Sequence, residues 1–417
     1  MSAFASLLLL FLLSAFSMAP ADAAPDQTWL LRRIHLSTPE IVWAMGESGR
    51  GLALFRSTDG ERRWDDVTPE GFFHSGEDRE EEAEDADFYA LSGGTAWAAL
   101  EEADGRVRVE RTGDGGRHWQ RATFPVREEF EGGGVTLQFL NPSVGFLLLM
   151  GSPAAGLMPK ATYRTRDGGR TWEQTSSDAA SAGPRHQQEK ALPYGGFYPT
   201  GLTFRDSLHG WVTASNHGDP DVPLYRTSDG GWTWRLQTLR LPPRYAGFGA
   251  NTYPPVFFGP GKRDGMLPMK VFHDRAKGFL VYVTHDGGRH WQGRDGWDVP
   301  EAEAKGCFFV DAEHGWVTGA RERLYATHDG GGHWSPSGPR PPFGPGAEEV
   351  TLDFLTPQLG WALTGKTDGG TSGRSSALWR TQDGGRHWEA VSAGGLPGRP
   401  RRHPLLKKRR AVPVGPG

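Results

Sequence analysis

Residues 165–172 read Thr-Arg-Asp-Gly-Gly-Arg-Thr-Trp, and close copies of this octet occupy 57–64, 112–119, 227–234, 284–291, 327–334 and 381–388. Its aspartates are Asp59, Asp114, Asp167, Asp229, Asp286, Asp329 and Asp383, at a mean spacing of 54 residues. Its closing tryptophans are Trp64, Trp119, Trp172, Trp234, Trp291, Trp334 and Trp388. Self-similarity at one such period marks a chain built from copies of one supersecondary unit. The octet has the chemistry of a tight hairpin. Its aspartate can accept hydrogen bonds from the turn's own amides, its two glycines tolerate positive φ, and its tryptophan opens the next strand. A fully buried tryptophan contributes on the order of 1.5–3 kcal/mol by area, so the seven are expected to form a sizeable share of the core.

A second signature lies upstream of most octets: Phe, five residues, Gly, then usually an aromatic. It spans 139–146, 204–211, 272–279, 309–316 and 354–361, with a looser copy at Phe88, Gly94 and Trp97; the first repeat keeps only Ile34 and Trp43. Leu137 and Phe139 alternate as one face of a first strand, and Asn141-Pro142-Ser143-Val144-Gly145 is turn chemistry. A second strand carries the aromatic, a third ends at Tyr163 to Thr165, and the octet leads into a fourth. Each repeat reads as four short antiparallel strands.

The octet resembles the Asp-box, or BNR, repeat of sialidases, sortilin-type receptors, xyloglucanases and photosystem II assembly-factor propellers. With the added Phe-x5-Gly-aromatic strand pair, it is most similar to the last group and its bacterial relatives, over residues 30 to 392. The resemblance implies an all-β fold, a seven-bladed β-propeller of four-stranded antiparallel blades with the Asp-box hairpin between third and fourth strands. Two local departures stand out: Glu61 occupies the second glycine position of the first box, and Trp232 is an extra tryptophan in the fourth.

In such a blade the first-to-second and third-to-fourth connections share one face of the disc, and the other connections share the opposite face. The constant signatures make the first face uniform. Length variation falls on the second, in 68–87, 175–199, 216–223, 239–268, 293–305 and 365–377, and variable loops on a rigid scaffold are where recognition usually sits. The candidate partner-binding residues there are Arg240, Arg244, Tyr245, Tyr253, Tyr194, Tyr198 and Trp297, since aromatics with arginine make interface anchors. The competing reading is that these aromatics plug the loop's own small core.

Composition narrows the function classes. Lys+Arg 46 against Asp+Glu 50 leaves a net charge of -4, too balanced for a protein built to neutralise nucleic-acid phosphates. The single cysteine, Cys307, excludes an internal disulfide and a multi-cysteine zinc site, and it reads as a buried, inert thiol. Eight of the 14 histidines occupy repeat slots spread around the repeats, and are expected to be structural rather than metal ligands. His217, Asp219 and Asp221 form a loop cluster without the spacing of a calcium loop. No metal and no cofactor are expected.

Residues Leu7 to Phe16 form an apolar run, and Ala21-Asp22-Ala23 supplies a small-x-small cleavage pattern, so 1–23 reads as a signal peptide and the chain as secreted or periplasmic. The propeller is expected over 24–395 and a disordered basic tail over 396–417; no later stretch has the length of a membrane-spanning helix. The tail can touch an anionic surface, and the acidic run from Glu77 to Asp87 is expected to be a solvated loop. A monomer is expected.

Resemblance to sialidases would imply an arginine cluster for the substrate carboxylate, a tyrosine nucleophile with a carboxylate partner, an acid and an Arg-Ile-Pro motif, and the one Arg-Ile pair, Arg33-Ile34, is followed by His35. No GxSxG, HExxH or phosphate-loop pattern occurs. The expectation is an exported, non-catalytic scaffold, with no catalytic residues, whose variable-loop face binds a protein or a cell-surface glycan. The alternative is a sialidase-like glycoside hydrolase or a glycan-binding propeller. Convergent arginines and carboxylates at the centre of the disc would favour the hydrolase.

Overall fold

The computed structural model describes residues 29–48, 51–72, 86–102, 104–130, 132–153, 158–178, 192, 197–216, 222–273, 276–293, 299, 306–319, 323–338, 343, 349–368 and 373–391. Among them the structure is antiparallel β-sheet throughout, with single turns of 3-10 helix at Glu128–Phe130 and Pro243–Tyr245. Four-stranded sheets span 30–66, 86–125, 132–177, 306–336 and 349–391. A nine-stranded sheet over 197–293 joins two further units through one bridge, Ser215 to Asn251. The calls on Tyr194, Trp297, His217, Asp219, Asp221, the signal sequence and the basic tail lie outside the described residues.

The third unit shows how sequence becomes blade. Gly132–Phe139 pairs with Gly145–Gly151, which pairs with Lys160–Thr165, which pairs with Glu173–Ser177. Phe139 faces Gly145 across the first pair. A β-carbon on that glycine would sit 2.4 Å from the Phe139 ring, so only hydrogen fits. Phe204 with Gly210, Phe309 with Gly315 and Phe354 with Gly360 repeat the contact.

The fifth unit corrects the signature. Phe272 and Gly278 belong to the hairpin of Asp264–His273 with Ala276–Thr284, the second and third strands, and Phe272 pairs with Lys277. The true counterpart is Phe257 opposite Gly265, with seven residues between them instead of five and a β-carbon 2.6 Å from the ring. The first strand of that unit, Gly249–Thr252 and Val256–Phe258, therefore lies inside the segment read as the longest loop. The segment 365–377 is likewise no open loop. Its described residues extend the hairpin of Gly360–Asp368 with Gly373–Thr381 as far as Asp368 opposite Gly373. Asp87, taken as part of a solvated acidic run, sits buried in the strand Ala86–Ala90.

The core is a series of wedges between neighbouring sheets. One cluster joins the first unit to the second through Trp43, Leu54, Phe88 and Ala98, and others join the second to the third and the third to the fourth. A larger one spans the fourth, fifth and sixth, and another the sixth and seventh. The last sheet packs on the first through Trp361, Leu363 and Leu378 against Leu31, Ile34 and Leu36, which closes the ring. This is a β-propeller. Among the described residues every sheet is built from consecutive strands, and the junction of last with first is held by side chains.

The box tryptophans are less buried than the sequence suggests. Trp64 and Trp234 are buried, whereas the other five are half-buried. The second-strand tryptophans Trp43, Trp97, Trp211, Trp316 and Trp361 are all completely buried, and of the box tryptophans only Trp234 matches them. Two of the second-strand tryptophans stack flat on the next unit's first-strand phenylalanine, Trp97 on Phe139 at 3.6 Å and Trp316 on Phe354 at 3.5 Å between ring centroids.

Candidate binding surfaces

Each box hardens one face of the disc. Thr165 Oγ1 accepts from Gly169 N at 2.8 Å and donates to Asp167 Oδ1 at 2.8 Å, and that oxygen also accepts from Arg170 N and Thr171 N at 3.0 Å each. These hydrogen bonds hold the Asp167 carboxyl down at about 2, although partial burial opposes them. Gly168 and Gly169 have φ of 78° and 90°, the left-handed region glycine enters without strain. Gly168 N then donates to Ser143 O in the first-to-second turn, and the same bond recurs in all seven units, from Gly60, Gly115, Gly230, Gly287, Gly330 and Gly384. The histidines behave as expected. His118, His290, His333 and His387 meet the aspartate of their own box at 2.6 Å, and His209 and His314 meet the turn residues Asp206 and Asp311. No group of three potential ligands suited to a metal ion occurs among the described residues.

The residue just before the box threonine or serine was missed in the sequence reading. It is arginine in five units: Arg56, Arg111, Arg164, Arg226 and Arg380. Strand alternation aims each one at the cleft between units, over its own second-strand aromatic: Arg56 on Trp43, Arg111 on Trp97, Arg164 on Phe146, Arg226 on Trp211 and Arg380 on Trp361, 5.1–6.0 Å from the ring centroid. The far edge is the next unit's box, where β-carbons at Gly115, Gly168 and Gly230 would lie within 3.4 Å of Arg56, Arg111 and Arg164. The Nε of all five is buried without a hydrogen-bond partner. Desolvation, with Arg205 and Arg289 as further cations, lowers the Arg226 guanidinium from its usual value, and Arg56 and Arg164 shift the same way for the same causes. The second-to-third cleft opens as a groove of about 340 Å³ lined by Arg111, Gln120, Arg121, Ala122, Gly168, Gly169 and Arg170. Stacked guanidiniums repeated along one face suit carboxylates. A repeated Arg-Thr before Asp-Gly-Gly was the signal available.

On the opposite face, Tyr245 is 8% exposed and packs into the core beside Phe248, with Arg244 laid over its ring at 5.0 Å. Arg240 is exposed, and its carbonyl accepts from Tyr282 Oη at 2.6 Å. Tyr253 and Tyr198 are half-buried, Tyr253 N donating to Pro268 O. Cys307 packs against the core with its thiol pushed up to about 12 by burial.

The first strands of neighbouring units lie side by side at the centre, and here the charged groups act as pins. Asp87 accepts from Arg33, from Phe88 N and from Leu137 N of the third unit. Gln138 bridges to Phe204, and Asp353 accepts from Leu36 N at 3.0 Å, tying seventh to first. Burial raises the Asp353 carboxyl to about 7 and lowers His35 to about 4.

No family model and no curated protein matches this chain. Solved structures do. A YCF48 bound to D1 peptide aligns over 85% of this chain and 94% of its own, at 16% identity and a TM-score of 0.53. A polysaccharide lyase of family PL25, an ulvan lyase, aligns over 88% of this chain and 96% of its own, at 11% identity and a TM-score of 0.51. A glycoside hydrolase of family GH74 from Niastella koreensis aligns over 89% of this chain and 67% of its own, at 11% identity and a TM-score of 0.49. The shared fold is a propeller of the YCF48-like kind, and among these structures it hosts both a peptide-bound protein and a lyase.

Proposed function

We propose that this chain is an exported, non-catalytic, seven-bladed scaffold that captures a carboxylate-bearing segment of a partner protein in the arginine-lined clefts of its box face. The observation that carries the reading is the set of five arginines stacked over second-strand aromatics at one register of one face. An extended acidic segment would meet several of these guanidiniums in turn. A peptide bound to YCF48 supports the idea that such a disc can hold a protein segment. The central carboxylates favour a scaffold over a hydrolase, because Asp87 and Asp353 are turned onto backbone amides of adjacent strands. Export rests on the apolar run before Ala23.

The test is binding of fluorescently labelled acidic peptides, followed by anisotropy. Arg111→Gln and Arg164→Gln should each weaken binding about tenfold, a loss typical of one charge-assisted contact, and raised salt should weaken the parent. Unchanged affinity in both variants, or turnover of a fluorogenic glycoside or release of unsaturated sugars from a polysaccharide by the purified chain, would overturn the proposal.

A further inference from the structure

Three large apolar side chains stand exposed among the described residues, Leu208 at 47%, Trp232 at 45% and Leu236 at 37%, and all three belong to the fourth unit. Two of them share the box face. Leu208 lies in the first-to-second turn, and its carbonyl accepts from Gly230 N at 2.9 Å, two residues before Trp232. The position of Trp232 is Arg62, Arg117, Arg170, Arg289 and Arg386 in five other boxes and Gly332 in the sixth.

Folding does not need the indole there. The fourth box keeps its full bonding without it: Thr227 Oγ1 accepts from Gly231 N, and Asp229 accepts from Thr233 N and Thr233 Oγ1. The buried tryptophan of this box is Trp234, not Trp232. An exposed indole beside an exposed leucine forgoes the burial such groups normally gain, and tryptophan ringed by arginine is the composition of an interface hot spot.

The surroundings specify the occupant. Arg164 presses on Gly230, Arg226 precedes Thr227, and Arg205 and Arg289 stand close enough to repel Arg226. Arg166 adds a further cation beside Arg164. The carboxylates in the neighbourhood, Asp206, Asp229 and Asp286, accept from amides of their own turns, and Asp206 also pairs with Arg205 at 3.0 Å, which leaves Arg164, Arg166, Arg226 and Arg289 as the cations without a close carboxylate among the described residues. The patch is therefore an apolar pad within a field of guanidiniums.

We propose that Trp232 and Leu208 form an anchor site for one bulky apolar side chain carried by an acidic segment of a partner protein. This inference rests on the cleft reading above and adds to it a specificity that the other boxes, with arginine or glycine at this position, lack. Charge selects the segment and the indole sets its register.

The probes are two labelled acidic peptides identical except for a central Phe or Ser, and a neutral peptide with the same Phe. The parent should hold the acidic Phe peptide about tenfold more tightly than the Ser one. Trp232→Arg, which restores the commonest box residue, and Leu208→Asn should each abolish that preference without weakening binding of the Ser peptide or lowering the melting temperature. An undiminished preference in both variants would overturn the anchor, as would equal binding of the neutral Phe peptide. A parent that dimerises in sedimentation while Trp232→Arg stays monomeric would assign the patch to a second copy instead. Binding of both acidic peptides without preference would defeat the anchor alone; binding of neither would defeat the cleft reading with it.

Discussion

At the scale of single residues, the box threonine does more than the aspartate that makes the motif conspicuous. Thr165 is 1% exposed, and its hydroxyl accepts from Gly169 N and Asp167 N while donating to the carboxyl. Thr165→Val keeps the shape and leaves those amides without their acceptor. Leaving a buried donor unmet costs about 1–3 kcal/mol, so the unfolding free energy from urea denaturation should fall by that amount, seen as a lower midpoint with an unchanged slope. Spacing announced this chemistry, because a turn's hydrogen bonds are local. It could not announce which tryptophans are buried. Trp172 and Trp97 look alike as letters, yet only Trp97 is wholly enclosed, since its cover is Phe139 of another repeat.

At the scale of elements, the fifth unit shows where a motif search goes astray. Phe272 and Gly278 match the pattern by coincidence, while Phe257 and Gly265 hold the structural position across a longer turn that includes Pro260 between Gly259 and Gly261. Two observations outside that pairing agree: Gly287 N donates to Arg263 O, as its six counterparts donate to their own turns, and Trp211 packs on Phe257 at 4.8 Å. Gly265→Ala should therefore destabilise as Gly360→Ala does, each by about 1–3 kcal/mol from overpacking against a ring. Thermal melts of the two variants check it; a silent Gly265→Ala would return the signature to Phe272. Turn length is free to drift because a surface loop loses little by growing, whereas the pairing of a ring with a bare glycine cannot drift.

At the scale of the whole molecule, the seam between last and first sheets is the one junction with no peptide connection. Glu61, at φ 65°, places a 3%-exposed side chain there, with its carboxylate 3.9 Å from Arg380 and the Trp361 indole beside it. Desolvation raises Glu61 to about 7, against the pull of Arg380. Between its ordinary value and that one, the folded chain holds a proton the unfolded chain has released, so this group's contribution to stability falls as pH rises through the window. Glu61→Gly removes both this penalty and a left-handed non-glycine residue costing roughly 1–2 kcal/mol. The variant should be more stable than the parent, by a margin that widens from about pH 4.5 to pH 7. Urea denaturation at the two pH values measures it. A margin that is constant or narrows would show that the carboxylate holds the seam rather than straining it.

Sequence alone determined the repeating unit, its four strands and the chemistry of its turn, because hydrogen bonds within a hairpin and side-chain alternation along a strand are set over a few residues. It also carried the arginine before each box as a legible letter, without saying what that arginine faces. Only the tertiary structure decided which aromatics are enclosed, which pair of residues keys the fifth unit, that last meets first through side chains, and that five guanidiniums line one face while Tyr245 turns inward. Each of these depends on a neighbour some fifty residues or more away, or on a loop path set by packing, and neither distance in the chain nor composition encodes that contact.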